Sequence, residues 1–292
     1  MQALERKPPH PVPPVHVQPE YLVSGQRARW YADMKNVLQV PWMGVVTMAF
    51  SHYPRFFEVL WDGLRPIAQS RPFVDACTEL RAYTEARVLD LEPGPIVRRL
   101  QTLGYAPREI GQIRASIEVF SHGNFPYLLT ATAARRLLEG LELGVSKDAP
   151  AYDGCHAPQV DVPFVLMESH HADHDTRALY QDIKATLGLP FVNTDYRALA
   201  RWPSYFALAW HDLKPAVNAD QHAEICTAVH RRADEITARS LPNPKGLTAD
   251  VLRGAAERDG QYDEILQVAR LFQWLLPGLV TNIAFFRAQL DD

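Results

Sequence analysis

The sequence predicts an all-α fold. Apolar residues recur at intervals of three and four through most of the chain, and period-two alternation is nearly absent. Proline and glycine fall between the periodic stretches, where helices must stop. The pattern also repeats. Tyr31-x-Asp33-x-Lys35 followed by Pro54, Phe57, Trp61, Leu64 and Pro66 returns as Tyr180-x-Asp182-x-Lys184, Pro203, Phe206, Trp210, Leu213 and Pro215, at a constant offset of 149. Leu38 falls on Leu187, Pro41 on Pro190, Ala49 on Ala198, and Cys77-Thr78 on Cys226-Thr227. Two tandem homologous helical repeats are therefore expected to form a pseudo-dimer within one chain, with a ligand pocket at their interface.

Taken in order, residues 1–20 carry six prolines and no apolar block, which reads as a flexible, polyproline-like arm rather than a secretory signal. Repeat 1 spans 21–145. It opens with an amphipathic helix through Trp30, Met34, Val37 and Leu38, for which Ser24 is the expected cap. Further helices are expected over 56–64, 74–91, 96–103, 107–120 and 126–141, with Gly123 and Asn124 in the turn before Pro126. Residues 146–165, with three prolines and Gly154, have linker composition. Repeat 2, 166–292, opens with a helix through Leu179, Ile183 and Leu187 and continues over 205–213, 222–238, 251–257, 262–274 and 279–290.

A net charge of −4 without clustered lysine and arginine argues against nucleic acid. No apolar run approaches the roughly 18 residues of a membrane span, so no membrane partner is expected either. Three widely spaced cysteines fit a reduced, cytoplasmic protein. Cys77 and Cys226, at equivalent repeat positions and without a histidine partner evident nearby, read as packing residues. The densest set of metal-ligand types, Glu168 to Asp175, lacks the first histidine of a His-x-His-x-Asp-His motif because Ser169 stands there. It leads into a helix, where acids suit the N-terminus, so no metal is expected. Trp61 and Trp210 read as core anchors. The mirrored pairs Arg65/Lys214 and Lys35/Lys184 read as charges that serve the fold.

A duplicated scaffold exposes candidate chemistry where its copies disagree. Asp195 falls on Val46, and Asn124 falls on Leu276 at an offset of 152 after a small insertion. Each copy thus offers one polar residue that its twin makes apolar. By local sequence alone, Asn193-Thr194-Asp195 is a cap or turn. Yet Asp195 is flanked by Phe191, Tyr196 and Trp202, and a carboxylate in aromatic surroundings can act as a base on water.

Val40-Pro41-Trp42, Gly123-Asn124-x-x-Tyr127-Leu128-Leu129 and Asp195-Tyr196-Arg197-Ala198-Leu199-Ala200-x-Trp202-Pro203 resemble the group I 2-haloacid dehalogenases, which act on D- and L-2-halo acids. The resemblance runs from about residue 24 to 290. It implies a cofactor-independent hydrolase in which Asp195 activates a water held by Asn124. That water displaces halide from short 2-haloalkanoic acids with inversion and no covalent intermediate. It also implies a pocket lined by Trp42, Gly44, Val45, Asn193, Thr194 and Phe272, and a true homodimer. Val45 stands where the family carries phenylalanine, Phe272 replaces tyrosine, Thr194 replaces serine and keeps a hydroxyl, and Asn193 is bulkier than the alanine expected there, which implies a reshaped pocket with a wider wall at Val45. Backbone N–H groups at a helix start near Thr194 are the expected carboxylate holder. Two alternatives stand beside this reading: Asp195 as a nucleophile, and a pocket that binds a small organic acid or other apolar ligand without turnover.

Overall fold

The computed structural model describes residues 4–160 and 162–291; residues 1–3 of the arm, Asp161 of the linker and Asp292 lie outside the described residues. Twelve α-helices and no strands are present among them. The first six are α1 (Gly25–Leu38), α2 (Val45–Phe50), α3 (Pro54–Ala68), α4 (Arg71–Val88), α5 (Val97–Thr102) and α6 (Pro107–Leu138). The second six are α7 (His174–Leu187), α8 (Thr194–Leu199), α9 (Pro203–Val217), α10 (Asp220–Arg239), α11 (Ala249–Arg258) and α12 (Tyr262–Gln289). The first three helices of each set have matching lengths and lie 149 positions apart.

The two long helices, α6 and α12, share the most extensive contact of any pair and form the centre of the molecule. Helices of the two sets also interleave, α3 against α11 and α4 against α10 and α12. The sequence reading broke each long helix in two. The chain instead runs helical through Pro126 and Pro277. Proline removes one helical hydrogen bond and crowds the preceding turn, a cost of about 3 kcal/mol or more. Here the segments around it are buried on nearly every side, from Val119 to Leu138 and from Leu275 to Phe286, and that burial outweighs the local penalty. By length and mean hydropathy α12 does reach the range of a membrane span, contrary to the sequence reading, but 78% of that stretch is buried inside the protein.

Helix starts differ in detail from expectation. Ser24 occupies the cap position of α1 without a side-chain hydrogen bond, whereas Asp173 caps α7 by accepting the Thr176 N–H at 2.7 Å. The acid-rich Glu168–Asp175 segment is thus a helix entry.

The mirrored polar residues hold the fold. Asp33 accepts Trp61 Nε1–H at 2.8 Å and two bonds from Arg65 at 2.8 and 2.9 Å. Asp182 accepts Trp210 Nε1–H at 2.8 Å and Lys214 Nζ–H at 2.6 Å. Each cluster ties the first helix of its set to the third. The proline-rich start lies along the body rather than free of it. Leu4 N–H donates to Thr227 Oγ1 at 3.2 Å, Trp274 Nε1–H to the Glu5 carbonyl at 2.7 Å, and Tyr31 Oη–H to the Gln18 carbonyl at 3.2 Å. The linker is fastened similarly, Arg71 N–H donating to the Pro150 carbonyl at 2.8 Å and Tyr152 N–H to the Gln69 carbonyl at 2.9 Å.

Bonds from Arg65 hold the Asp33 carboxyl below the ordinary carboxylate range, and those from Lys214 do the same for Asp182. A lowered carboxyl pKa contributes stability that is present above the unfolded value and lost as pH falls through the folded one. Asp33→Ala and Asp182→Ala are each expected to cost about 1–2 kcal/mol at neutral pH, discounted for partial exposure. Urea melts should show the difference shrinking below about pH 4.

Candidate active site

Two six-residue helices, α2 and α8, which the sequence reading did not assign, carry or border several of the candidate residues. Gly44 is the N-cap of α2 and Asn193 the N-cap of α8, so Val45 and Thr194 open their helices and Asp195 lies in the first turn of α8. Asn124, expected in a turn, is mid-helix on α6. Asn124 Nδ2–H donates to Asp195 Oδ1 at 2.6 Å, joining residues 71 positions apart, and the two side chains are only 3% and 2% exposed.

All eight candidate residues border one internal chamber. Trp42, Gly44 and Val45 come from the first set of elements, as does Asn124; Asn193, Thr194, Asp195 and Phe272 come from the second. Its walls pair across the chain. Trp42 and Phe191, Gly44 and Asn193, Val45 and Thr194, and Val46 and Asp195 each lie 149 positions apart, while Asn124/Leu276 and Tyr127/Leu279 lie 152 apart. The chamber measures ≈ 30 Å³, room for about one water. The widening expected at Val45 is therefore not what this state shows: Phe272 (1% exposed), Phe191 and the leucines of α12 close in on the space.

Burial is the main influence on Asp195 and pushes its carboxyl up to about 6, against the opposing pull of Asn124, its own backbone N–H and Arg197. A base of that strength is mostly ionised near neutrality yet still takes a proton readily. With Asn124 on Oδ1, the other oxygen is the one available for a reacting water. Asn193 is 5% exposed and its Oδ1 has no partner, and Thr194 Oγ1 accepts a long bond of 3.4 Å from Arg197 Nη2–H. Among the described residues no group of three or more metal-ligand side chains converges.

A "(R)-2-haloacid dehalogenase" of Rhizobium sp. (strain NHG3) is 49% identical over 254 residues, covering 85% of this chain and 96% of that protein. The chain belongs to the 2-haloacid dehalogenase family. With the family comes the expected class, a hydrolase. A "(R)-2-haloacid dehalogenase" of Pseudomonas putida is 37% identical over 282 residues, 93% of this chain and 91% of that protein. Among solved structures, a D-2-haloacid dehalogenase in complex with L-LA superposes with a TM-score of 0.89 at 34% identity, covering 99% of this chain and 100% of that one. A mutant D-2-haloacid dehalogenase in complex with D-2-CPA gives 0.88 at 33%, with the same coverage. No family model matches the chain.

Several wall residues escaped the sequence reading. Tyr127 Oη–H donates to the Trp42 carbonyl at 2.6 Å, and its ring lies flat enough on Gly44 that a Cβ there would stand 2.7 Å from a ring carbon. Gly44 is thus explained by Tyr127, and Gly123 by Trp42, whose ring would meet a Cβ at 2.3 Å. Cys226 does have a histidine partner. His222, one helical turn earlier, holds it at 3.5 Å through Nδ1 and reaches Asn282 through Nε2 at 2.8 Å, and Asn282 Nδ2–H donates to Tyr196 Oη at 2.9 Å. Burial pushes the thiol up to about 12 and the imidazole pKa down, so this chain is neutral and secures the helix that carries Asp195.

Gly123→Ala is expected to force Trp42 out of its seat, costing about 1–3 kcal/mol of stability. Chemical denaturation measures the loss, and intrinsic tryptophan fluorescence should shift with it.

Proposed function

We propose that this protein hydrolyses short 2-haloalkanoic acids, with preference for the D enantiomer, by a water that Asp195 activates and Asn124 helps to hold. The carrying observation is the buried Asn124–Asp195 contact at 2.6 Å in a chamber with room for about one water. Water oxygen attacks C2 from the side opposite the halogen, its proton passes to Asp195, and the halide leaves with the bonding pair. The product is the 2-hydroxy acid of inverted configuration. The D-2-CPA and L-LA complexes of the structural neighbours, read as a D-haloacid and L-lactate, are the substrate and product that such an inversion would connect. Positioning and general-base assistance supply factors on the order of 10² to 10⁴ for the proton transfer. The N–H groups at the start of α8, with Asn193 and Thr194, are the carboxylate's partners in this reading.

We also infer that the chain is a tandem duplication, 21–145 and 166–292, whose pseudo-twofold axis runs through the chamber. The paired walls support it. Two unlike residues, Asp195 against Val46 and Asn124 against Leu276, then make one asymmetric site from two symmetric halves.

Halide release from both enantiomers of 2-chloropropionate tests the reaction; a wild type that releases none ends this reading. Single turnover in heavy-oxygen water should place label in the product at once, whereas Asp195 acting as nucleophile would give unlabelled product first. The rate should rise with pH through about 6 and level above it. Asp195→Asn should lower kcat by at least about 10³-fold and, because burial disfavours the charge, raise neutral-pH stability. A carboxyl raised to about 6 loses stability as pH climbs from the ordinary value to the folded one, on the order of 3 kcal/mol in all. The variant's thermal midpoint should therefore exceed wild type at pH 7.5 and approach it near pH 4.

Asn193 offers the physical reason for enantiomer preference. A buried amide with an unpartnered oxygen occupies chamber wall that a smaller residue would leave open. Asn193→Ala is expected to bring turnover of L-2-chloropropionate to within about tenfold of the D enantiomer, measured by halide release from each pure isomer.

A further inference from the structure

The chamber is too small for a haloacid as it stands, so the acid must first be held beside it. One neighbouring cavity shares four of its walls, Trp42, Val45, Phe191 and Thr194, and measures ≈ 530 Å³. Residues within 15–21 and 164–169 line it, and three cations border it: Arg177 and Lys184 from α7 and Arg197 from α8. Two acids face the same space, Glu20 and Glu168. Both are engaged. Glu20 accepts the Met43 N–H at 2.8 Å and pairs with Lys35, and Glu168 pairs with Arg197 at 2.7 Å. Arg177 donates to the Ala172 carbonyl, and neither it nor Lys184 takes part in an ion pair among the described residues.

Lys184 matters most because its mirror is broken. It lies 149 positions after Lys35, whose counter-ion is Glu20, and the position 149 after Glu20 is Ser169. Arg197 likewise lies 149 after Met48, which faces the same cavity. One wall is thus apolar, from Val45 and Met48, while the other carries Arg177 and Lys184, without an ion pair among the described residues, beside Arg197, which Glu168 neutralises. In a chain of net charge −4 that local excess is directed at an anion.

We propose that this cavity is a vestibule that captures the carboxylate of short 2-substituted alkanoic acids, with Lys184 as the capturing cation and the Trp42–Val45–Phe191–Thr194 wall as the door to the chamber. The proposal rests on the haloacid reading of the site and adds to it where the substrate waits and what draws it there. Lys184 touches no reacting atom in this scheme; it sets arrival.

Two measurements test it, one without turnover. Stopped-flow tryptophan fluorescence follows L-lactate association, and steady-state halide release from D-2-chloropropionate gives kcat and KM. Lys184→Glu should reduce the lactate association rate and kcat/KM by about 3- to 10-fold at low ionic strength, with kcat within about twofold. The difference should largely disappear near 0.3 M salt, where screening is short-ranged (~6 Å). Lys184→Arg should behave as wild type, and so should Lys147→Glu, an equal charge change on the exposed linker. Equal lactate association in Lys184→Glu and wild type, a loss confined to kcat, or a loss indifferent to salt would overturn the vestibule. The two readings separate cleanly: Lys184-dependent lactate binding without halide release sinks the dehalogenation and keeps the vestibule, and halide release with Lys184-independent kinetics does the reverse.

Discussion

A carboxylate held in a nearly dry space, with one amide for company, is the constraint on which the rest of this structure depends. Burying Asp195 costs stability, and the molecule must hold it in place against the tendency to rearrange toward water. It does so with rigid elements on every side. Asn124 is fixed by α6, one of the two central helices; Tyr196 is fixed by the His222–Asn282 chain; Trp42 and Tyr127 are locked together through a carbonyl and two glycines. The cost of an under-solvated acid is therefore borne by packing, and the same burial pushes the acid's pKa up to about 6.

Electrostatics in the molecule divides by depth. At the surface of each half, Asp33 and Asp182 hold tryptophan and a cation in matching clusters, and there the mirrored charges serve the fold as their symmetry suggested. Toward the centre the mirror fails. Val46 stands at the position equivalent to Asp195, Leu276 at that of Asn124, and Ser169 at that of Glu20, the partner of Lys35. The departures from symmetry cluster around one chamber and its neighbouring cavity.

Much of this was legible in the sequence, for identifiable reasons. Helix faces repeat with a short period, so α1, α3, α4 and their counterparts could be read from spacing alone. The contrast of Asp195 with Val46 and of Asn124 with Leu276 needed only the offset. What escaped depended on tertiary burial. Pro126 and Pro277 break helices by local rules, and only the surrounding core overrides them. The short helices α2 and α8 were not assigned, although they carry Val45, Thr194 and Asp195. His222 could have been inferred from its place four residues before Cys226, whereas the seat of Tyr127 on Gly44 is a tertiary contact with no local signal. The contraction of the chamber around Phe272 could not be read at all, because it depends on how α12 seats against α2 and α8.

The proposed tandem duplication has an evolutionary corollary at the pair Val46/Asp195. Had the halves remained separate, identical subunits, any replacement of that valine by aspartate would have appeared twice, setting two acids across a space sized for one solvent molecule. Their mutual repulsion would have kept one of them protonated or pushed the subunits apart. Covalent fusion removes that obligation. On that proposal, one half can carry an acid while the other keeps an apolar residue at the equivalent position.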